Sequence, residues 1–462
     1  MKKIIVRTFA IVLLALITYG ISYLWKALPI ISGYGAKDIC SCVFVTGRLP
    51  ADVIKNELGS GLLSLGTFEV DVRDSSATGT VFGLARQKAI YRKGLGCTLL
   101  AEISEDELRQ QPIKIYSQQP IKTDTLPWPK GDRLTDSLSK DINQSKLKAA
   151  MDYAFTETDS LKSMNTRAVI VLYKGQIIAE QYSEGFTMYS RHMGWSMTKS
   201  INNAIVGILS GQGKLSIEAP APIETWKEDE RSKITLHHLL QASSGLKWAE
   251  DYGGPSGATN MLFKKKDMGG YAAEVPLEFE PNTVFEYSSG TTNIIAKIIR
   301  NAIGDEDYYQ FYYRELFEKI GARSMVIEPD AGGTYVGSSY SWATARDWAR
   351  FGLLFLNDGV FEGQRILPEG WVRYSTTPAV TAPIGQYGAQ WWLNAGEKNN
   401  PTHRYYPDLP TDCFQAEGYE GQFVFVIPSR QLVVVRLGLS QLNELDMNSF
   451  VSKVLKALPP SP

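Results

Sequence analysis

The stretch GWSMTKSINNAIVGILSGQG, residues 194–213, is the most informative part of this chain. From Ser196 to Ser210 its apolar residues recur with a period of about 3.6, which predicts a helix with one buried face. Ser196 and Lys199 stand three positions apart in the first turn, so their side chains are neighbours on the helix. A serine hydroxyl is a weak nucleophile unless an adjacent base takes its proton. The spacing therefore predicts a serine nucleophile that is activated by a lysine.

The pattern Ser-x-x-Lys alone is weak evidence, because it also begins at Ser137, Ser145 and Ser244. Only the copy at Ser196 opens a strongly amphipathic helix. The competing Gly-x-Ser-x-Gly motif of α/β-hydrolases is absent from the sequence, so a Ser-His-Asp triad has no obvious nucleophile. The helix context, rather than the motif, favours Ser196.

Around this helix, the 462 residues divide into regions of different character, enough for two or three units at about 150 residues each. Residues 30–110 alternate short apolar runs with turn residues, which predicts a small strand-rich unit. Residues 111–147 are polar, contain prolines and are interpreted as a linker. The apolar runs of the small unit are Cys42–Val45, Leu62–Leu65, Phe68–Val72 and Thr80–Leu84.

The main domain is expected at residues 148–462. Two apolar runs near its start, 168–173 and 176–182, flank Lys174-Gly175 and predict a hairpin. Two further strand-like runs, 422–427 and 431–437, lie near its end, before an amphipathic stretch at 444–455. Strands at both ends with helices between them predict an α+β class, with an antiparallel sheet assembled from the two ends of the domain and helices on its faces.

Residues 1–29 are predicted to be a membrane anchor or signal segment. Residues 8–25 carry no charge and are long enough to span a bilayer, and the basic residues Lys2, Lys3 and Arg7 precede them. This charge bias predicts a cytoplasmic N-terminus and an extracytoplasmic, periplasmic main body. The alternative is secretion after signal cleavage, but the first small pair, Gly33 and Gly35, lies well past the apolar run.

Charge and cysteine content exclude several classes of protein. With 48 basic and 49 acidic side chains, the chain has no field that would attract nucleic acid. A disulfide between Cys97 and either Cys40 or Cys42 is expected in an oxidising compartment, and Cys413 stands alone. Cys-x-Cys without a second pair, and four histidines in all, argue against a metal site. No cofactor is implied, because protein groups alone can activate the serine.

Beyond the tetrapeptide and its helix, the sequence resembles the serine β-lactamase and penicillin-binding-protein superfamily. The likeness is strongest to its class C-type and esterase branch, and within that to the 6-aminohexanoate-dimer (nylon-oligomer) hydrolases. It covers about 330 residues from Pro127 onward, in which several motifs keep a family-like order. The motifs are ITLHHLLQASSGL (234–246), KWAEDY (247–252), FEYSS (285–289), TARDWARFG (344–352), YGAQWW (387–392) and GQFVFVIPSR (421–430).

The resemblance implies a β-lactamase-like fold with an all-helical subdomain, and it implies roles for particular residues. Ser196 would be the acylated nucleophile and Lys199 would help to take its proton. Tyr287, at the tyrosine of the family's Tyr-x-Asn or Tyr-x-Ser element, would be the general base, and Ser289, at the third position of that element, would hydrogen-bond the lysine or the substrate. The substrate would be a small ester, amide or short peptide.

Five further positions are implied on the substrate side. The family's Lys-Thr-Gly or His-x-Gly element falls on Tyr419, Glu420 and Gly421. The backbone amides of the nucleophile and of Gln422 would form the oxyanion hole, where loss of one donor typically costs about 10² to 10³ in rate. Tyr252 matches a substrate-side tyrosine of the amide hydrolases.

Two departures from penicillin-recognising relatives favour ester or amide hydrolysis. Tyr419 and the anionic Glu420 replace a lysine that would attract a substrate carboxylate, and Ser289 stands where asparagine is usual. The alternatives are a β-lactamase or D-Ala-D-Ala carboxypeptidase-type peptidoglycan hydrolase, and, in another class, a catalytically silent envelope binding protein that engages a partner through residues 30–110. Oligomeric state cannot be inferred from the sequence.

Overall fold

The structure is a computed structural model that describes residues 2–116, 125–134, 141–157, 163–440 and 445–460. It consists of two compact units, each built from more than one stretch of chain. The first unit comprises Met1–Gln111, Ala249–Tyr271 and Pro329–Gly333. The second unit comprises Pro112–Trp248, Ala272–Glu328 and Thr334–Pro462. Two short stretches that the sequence placed in the main domain therefore pack with the N-terminal residues.

The helices and strands of the described residues follow in chain order. The helices are α1 (Lys2–Phe44), α2 (Pro50–Asn56), α3 (Glu105–Arg109), α4 (Gln144–Phe155), α5 (Thr198–Gly211), α6 (Leu236–Leu240), α7 (Gly257–Lys264), α8 (Met268–Ala273), α9 (Ser289–Ile303), α10 (Tyr308–Tyr312), α11 (Ala345–Leu356), α12 (Trp371–Ser375) and α13 (Met447–Leu455). The strands are β1 (Gly66–Asp71), β2 (Ser76–Val81), β3 (Leu84–Arg92), β4 (Gly96–Leu99), β5 (Thr166–Tyr173), β6 (Gln176–Tyr182), β7 (Arg191–Met193), β8 (Val326–Ile327), β9 (Ser341–Thr344), β10 (Val360–Phe361), β11 (Gln364–Arg365), β12 (Trp392–Leu393), β13 (Phe414–Gly418), β14 (Gln422–Ile427) and β15 (Leu432–Gly438).

Helix α1 has two parts of opposite character. Its side chains are exposed almost without interruption as far as Lys26, and from Ile30 onward most of them are buried. By length and composition the helix is able to cross a membrane. The sequence placed a unit boundary at residue 30 and strand-like character at Cys42–Val45, and both expectations differ from the structure because α1 continues to Phe44. A four-residue apolar run has no periodicity that separates strand from helix.

The first unit wraps an antiparallel sheet, in the order β1-β2-β3-β4, around the second half of α1. Helix α1 lies close to the sheet at Gly35, since a Cβ there would lie 1.9 Å from the ring of Phe68 in β1. Cys40 of α1 is bonded to Cys97 of β4, which settles the expected pairing, and Cys42 stays outside the bridge. The run Leu62–Leu65 forms a 3-10 turn instead of a strand.

The second unit is built on a six-stranded antiparallel sheet in the order β12-β13-β14-β15-β5-β6. The predicted hairpin is confirmed, with Lys174 and Gly175 both at positive φ in the turn between β5 and β6. Pairing of β15 with β5 joins the two ends of the domain, as the sequence predicted. Helices α4 and α13 cover one face, and α11 covers the other, where Gly352 approaches Val424 and Val433.

The predicted linker is partly a packed segment. Residues 117–124 and 135–140, which include the Ser-x-x-Lys copy at Ser137, lie outside the described residues. Between them, Trp128 is buried and its indole N–H donates to the carbonyl oxygen of Gly175 over 2.8 Å. Arg350 of α11 donates to the carbonyl oxygen of Pro129 over 2.7 Å. Helix α4 then begins at Gln144, within the range assigned to the linker.

Candidate active site

Ser196 lies in a tight connection between β7 and α5. A 3-10 turn, Trp195–Met197, precedes α5, so the regular helix begins two residues later than the sequence predicted. Gly194 is enclosed, because a Cβ there would lie 2.5 Å from the Trp348 ring and 2.6 Å from Ser341 Oγ. Trp195 has φ +47°, an uncommon conformation for a bulky residue. Backbone strain of this kind persists where the surroundings hold it, often at functional sites.

Lys199 is the buried centre of the site. Its side chain is only 2% exposed. Its Nζ lies 3.0 Å from Ser196 Oγ, 3.1 Å from Ser289 Oγ and 3.0 Å from the carbonyl oxygen of Ser338. Ser289 is the first residue of α9, so the 3-10 turn before α5 and the start of α9 each bring one hydroxyl to the lysine. The structure thus brings together three of the predicted site residues and adds Ser338, which the sequence did not indicate.

A buried asparagine holds the Ser338 backbone in place. Asn293 lies one turn after Ser289 on α9; its Nδ2 donates to Ser338 Oγ over 3.1 Å and its Oδ1 accepts from the Ser338 amide over 3.2 Å. The preceding Gly337 packs against α5, since a Cβ there would lie 1.8 Å from Asn202 Nδ2. The sequence did not indicate Asn293 or Gly337. A single asparagine in an apolar helix carries no motif.

Tyr287 completes the surroundings of the lysine. Lys199 Nζ lies 4.8 Å from the centre of the Tyr287 ring, within the range of a cation–π contact. The half-buried ring packs against Tyr387 and Trp392, with centroid separations of 5.9 Å and 5.2 Å. Both aromatic residues come from the predicted YGAQWW motif, which therefore supports the ring of Tyr287.

The turn between β13 and β14 lies beside the Ser196 connection. A Cβ on Gly418, the last residue of β13, would lie 2.2 Å from the carbonyl oxygen of Gly194, so only glycine fits. Glu420 Oε2 is 3.4 Å from the indole nitrogen of Trp195, which is long for a hydrogen bond. Tyr419 is 64% exposed and meets the Trp195 ring edge-on at 5.8 Å.

Two buried side chains, Arg436 and Gln422, hydrogen-bond the backbone around this turn. Arg436 of β15 donates from Nη1 to the carbonyl oxygen of Gly421 over 2.7 Å and from Nη2 to Thr166 Oγ1 over 2.9 Å. The Gln422 side chain donates to the Gly438 carbonyl oxygen over 2.7 Å and accepts from the Gly438 amide over 3.1 Å. The Gln422 side chain therefore ties the start of β14 to the end of β15, while its backbone pairs with Gly418 of β13.

Tyr252 belongs to the first unit, unlike the other predicted site residues. Its hydroxyl donates to Glu250 Oε1 over 2.7 Å, and its side chain is half exposed. Its role towards a substrate therefore stays a prediction. Among the described residues, no group of three or more His, Cys, Asp or Glu side chains is arranged to hold a metal ion.

The fold and the serine–lysine centre define the class of protein as a serine hydrolase of the β-lactamase and penicillin-binding-protein superfamily. Residues 156–445 match the family model described as Beta-lactamase, and the chain belongs to that family. A curated relative, the 6-aminohexanoate-dimer hydrolase of Paenarthrobacter ureafaciens, is 26% identical over 305 residues, which cover 60% of this chain and 73% of the relative.

Solved structures share the fold. A Bacillus anthracis protein with a provisional assignment as 6-aminohexanoate-dimer hydrolase superposes with a TM-score of 0.55 at 22% identity, covering 71% of this chain and 89% of that one. A family VIII carboxylesterase superposes with a TM-score of 0.51 at 15% identity, covering 68% and 97%. At these identities the likeness concerns the fold alone.

Proposed function

We propose that this hydrolase cleaves a small ester or amide through an acyl-enzyme on Ser196. The observation that carries the proposal is the position of Lys199 Nζ, buried and 3.0 Å from Ser196 Oγ. A nucleophile and its base must lie within hydrogen-bond reach, and this pair meets that requirement without a bound substrate. None of these protein groups requires a cofactor for the reaction.

The contacts of Lys199 fit both of its protonation states. As an ammonium it donates to Ser196, Ser289 and the Ser338 carbonyl. As a neutral amine it has two N–H donors, which suit Ser289 and Ser338, and a lone pair that accepts the Ser196 hydroxyl proton. Ser338 can only accept through its carbonyl oxygen, so it orients the amine in either state.

The reaction then runs in two halves. The Ser196 proton passes to the Lys199–Tyr287 pair while Oγ bonds to the substrate carbonyl carbon, and the backbone amides of Ser196 and Gln422 bind the resulting oxyanion. The leaving alcohol or amine departs with that proton. Water, deprotonated by Tyr287, next attacks the acyl carbon, and the proton returns to Ser196 as the acid is released.

The turn at residues 419–421 argues for a substrate without a carboxylate at that end. The carboxylate of Glu420, beside Trp195, would repel the carboxylate of a β-lactam or of a D-Ala-D-Ala stem. The curated relative is named a 6-aminohexanoate-dimer hydrolase, and we take short amides as the first natural class to try. The peptidoglycan and silent-binder alternatives stay as outcomes of the tests.

The deciding experiment measures hydrolysis of a short p-nitrophenyl ester by the wild type and by Ser196→Ala. A matched control is Ser145→Ala, since Ser145 heads another Ser-x-x-Lys pattern, on the surface of α4. We expect only Ser196→Ala to abolish turnover and covalent acylation detected by intact mass. Acylation that persists in Ser196→Ala would overturn the proposal, and a well-folded wild type without ester or amide turnover would favour the silent binder.

We also propose that α1 anchors the chain in a membrane, with both units on the extracytoplasmic side. Support comes from the exposed apolar first part of α1 and from the disulfide, which is typical of an oxidising compartment. Signal cleavage near Gly33 or Gly35 would remove helix against which the sheet packs, so retention is favoured over secretion. The full chain should resist alkaline carbonate extraction from membranes and be degraded by protease added to intact spheroplasts; extraction into the soluble fraction would refute the anchor.

A further inference from the structure

The first unit places a hairpin tip beside the point where α1 becomes exposed. Strand β3 follows α1 in the same direction, since Ser32 Oγ donates to the Ala85 carbonyl oxygen over 2.5 Å while Tyr91 stacks on Phe44 at 5.2 Å. The β2–β3 turn, which precedes Ala85, therefore points towards the start of α1. At about 3.3 Å per strand residue and 1.5 Å per helix residue, its tip is roughly level with Ala27.

The tip exposes two large apolar side chains. Phe82 is 71% exposed and Leu84 is 60% exposed. Phe82 and Gly83 both have positive φ, at 52° and 72°, in a two-residue turn that normally prefers Asn-Gly. A phenylalanine is conformationally strained at positive φ, and its side chain is not buried within the first unit to offset that strain. Stability of the unit thus does not account for an aromatic residue at this position.

Positive charge collects at the same level of α1. Lys264 of α7 donates from Nζ to the carbonyl oxygen of Lys26 over 2.6 Å. Burial, and then the charge of Lys26, lower the pKa of Lys264, so an anionic neighbour would relieve the repulsion between the two ammonium groups. Trp25, 80% exposed, stands immediately before Lys26. Tryptophan and lysine at this depth are typical of the water interface of a spanning helix.

We propose that Trp25, Lys26, Phe82, Leu84 and Lys264 form a membrane collar that binds the surface of the lipid bilayer. Phe82 and Leu84 enter the boundary between headgroups and acyl chains, where amphipathic elements bury their apolar faces by about 5 to 10 Å. Lys26 and Lys264 contact the phosphates of anionic lipids. This inference rests on the proposed membrane span of α1, and it adds that the first unit itself sits on the bilayer.

The test places a fluorophore at the tip and a quencher in the lipid. The full-length chain carrying Leu84→Cys is labelled with a nitrobenzoxadiazole probe and reconstituted in vesicles of phosphatidylcholine and phosphatidylglycerol that contain nitroxide-labelled lipid. Val72→Cys is the matched control: it is 70% exposed and lies in the β1–β2 turn, at the opposite end of the same sheet. The labelled parent chain gives the background from native cysteines.

We expect the probe at residue 84 to be quenched several-fold more strongly than the probe at residue 72. Adding Phe82→Asp should reduce that quenching, and Lys264→Gln should weaken its dependence on phosphatidylglycerol. Equal quenching at residues 84 and 72 would overturn the collar. A third probe, at Leu16→Cys, separates the two proposals: if it is quenched while residue 84 is not, α1 spans and the collar fails, and if it is not quenched, the span fails and the collar with it.

Discussion

Lys199 and Ser338 are 139 positions apart in the sequence, yet Nζ of the lysine lies 3.0 Å from the Ser338 carbonyl oxygen. This carbonyl is the one partner of the lysine, among the contacts described above, that cannot itself donate a proton. It therefore fixes the direction of the amine whatever its charge. Asn293 hydrogen-bonds both the amide and the hydroxyl of Ser338, which makes Asn293 a positioning residue for the proposed base.

Asn293→Ala should slow the reaction and leave its chemistry otherwise intact. We expect kcat to fall about 10- to 100-fold, because small misplacements of a catalytic group are costly. The free energy of unfolding should fall by about 1 to 3 kcal/mol from the unpaired Ser338 groups. Asn203→Ala is the control, since Asn203 is equally buried but bonds Ser375 and Ala389. Only Asn293→Ala should shift the pH profile of kcat, and an identical profile would remove its positioning role.

Tyr287→Phe should separate the ring from its hydroxyl. The ring keeps its packing on Tyr387 and Trp392, so the thermal midpoint of unfolding should hardly change. Loss of the hydroxyl should lower kcat by about 10² to 10⁴, the usual share of a general base. Stopped-flow and steady-state ester hydrolysis measure this loss. Turnover close to wild type would show that Lys199 acts without the tyrosine.

Reduction of the disulfide should weaken the first unit. The Cys40–Cys97 bond links residues 57 positions apart, and a native bridge of this kind typically stabilises by about 2 to 5 kcal/mol. We expect Cys40→Ala to lower the urea midpoint at which protease cuts within residues 45–110. Cys42→Ala, which changes a buried thiol outside the bridge, is the control. An equal effect of both variants would mean that side-chain packing, not the bond, was lost.

The sequence predicted those parts of the molecule that depend on local pattern. The hairpin at Lys174-Gly175 and the helix after Ser196 follow from periodicity and turn residues, and both are confirmed. The sheet that joins the two ends of the domain followed from counting strands. Where the apolar run was short, as at Cys42–Val45, the prediction of a strand was wrong. Such a run has no periodicity of its own, and it continues the helix α1, which ends at Phe44.

The remaining features depend on contacts between distant residues. Nothing near Ser338 or Asn293 marks them, since their roles arise only when α5, α9 and the 337–339 segment meet. The positive φ of Trp195 likewise has no local signal, and it follows Gly194, which Trp348 and Ser341 enclose. Tertiary packing therefore positions the Ser338 carbonyl and the turn at Trp195, and the local sequence is only compatible with these conformations.

The glycine at the end of β13 divides the neighbouring hairpin into fixed and variable positions. Any side chain at Gly418 would push the Gly194 carbonyl and with it the turn that carries Ser196. Tyr419, one residue later, is largely exposed, and its ring meets the edge of the Trp195 ring. Under the proposed function, a directed library could vary residue 419 while residue 418 stays constant, so that new specificities would arise beside Ser196 without a change in the turn that carries it.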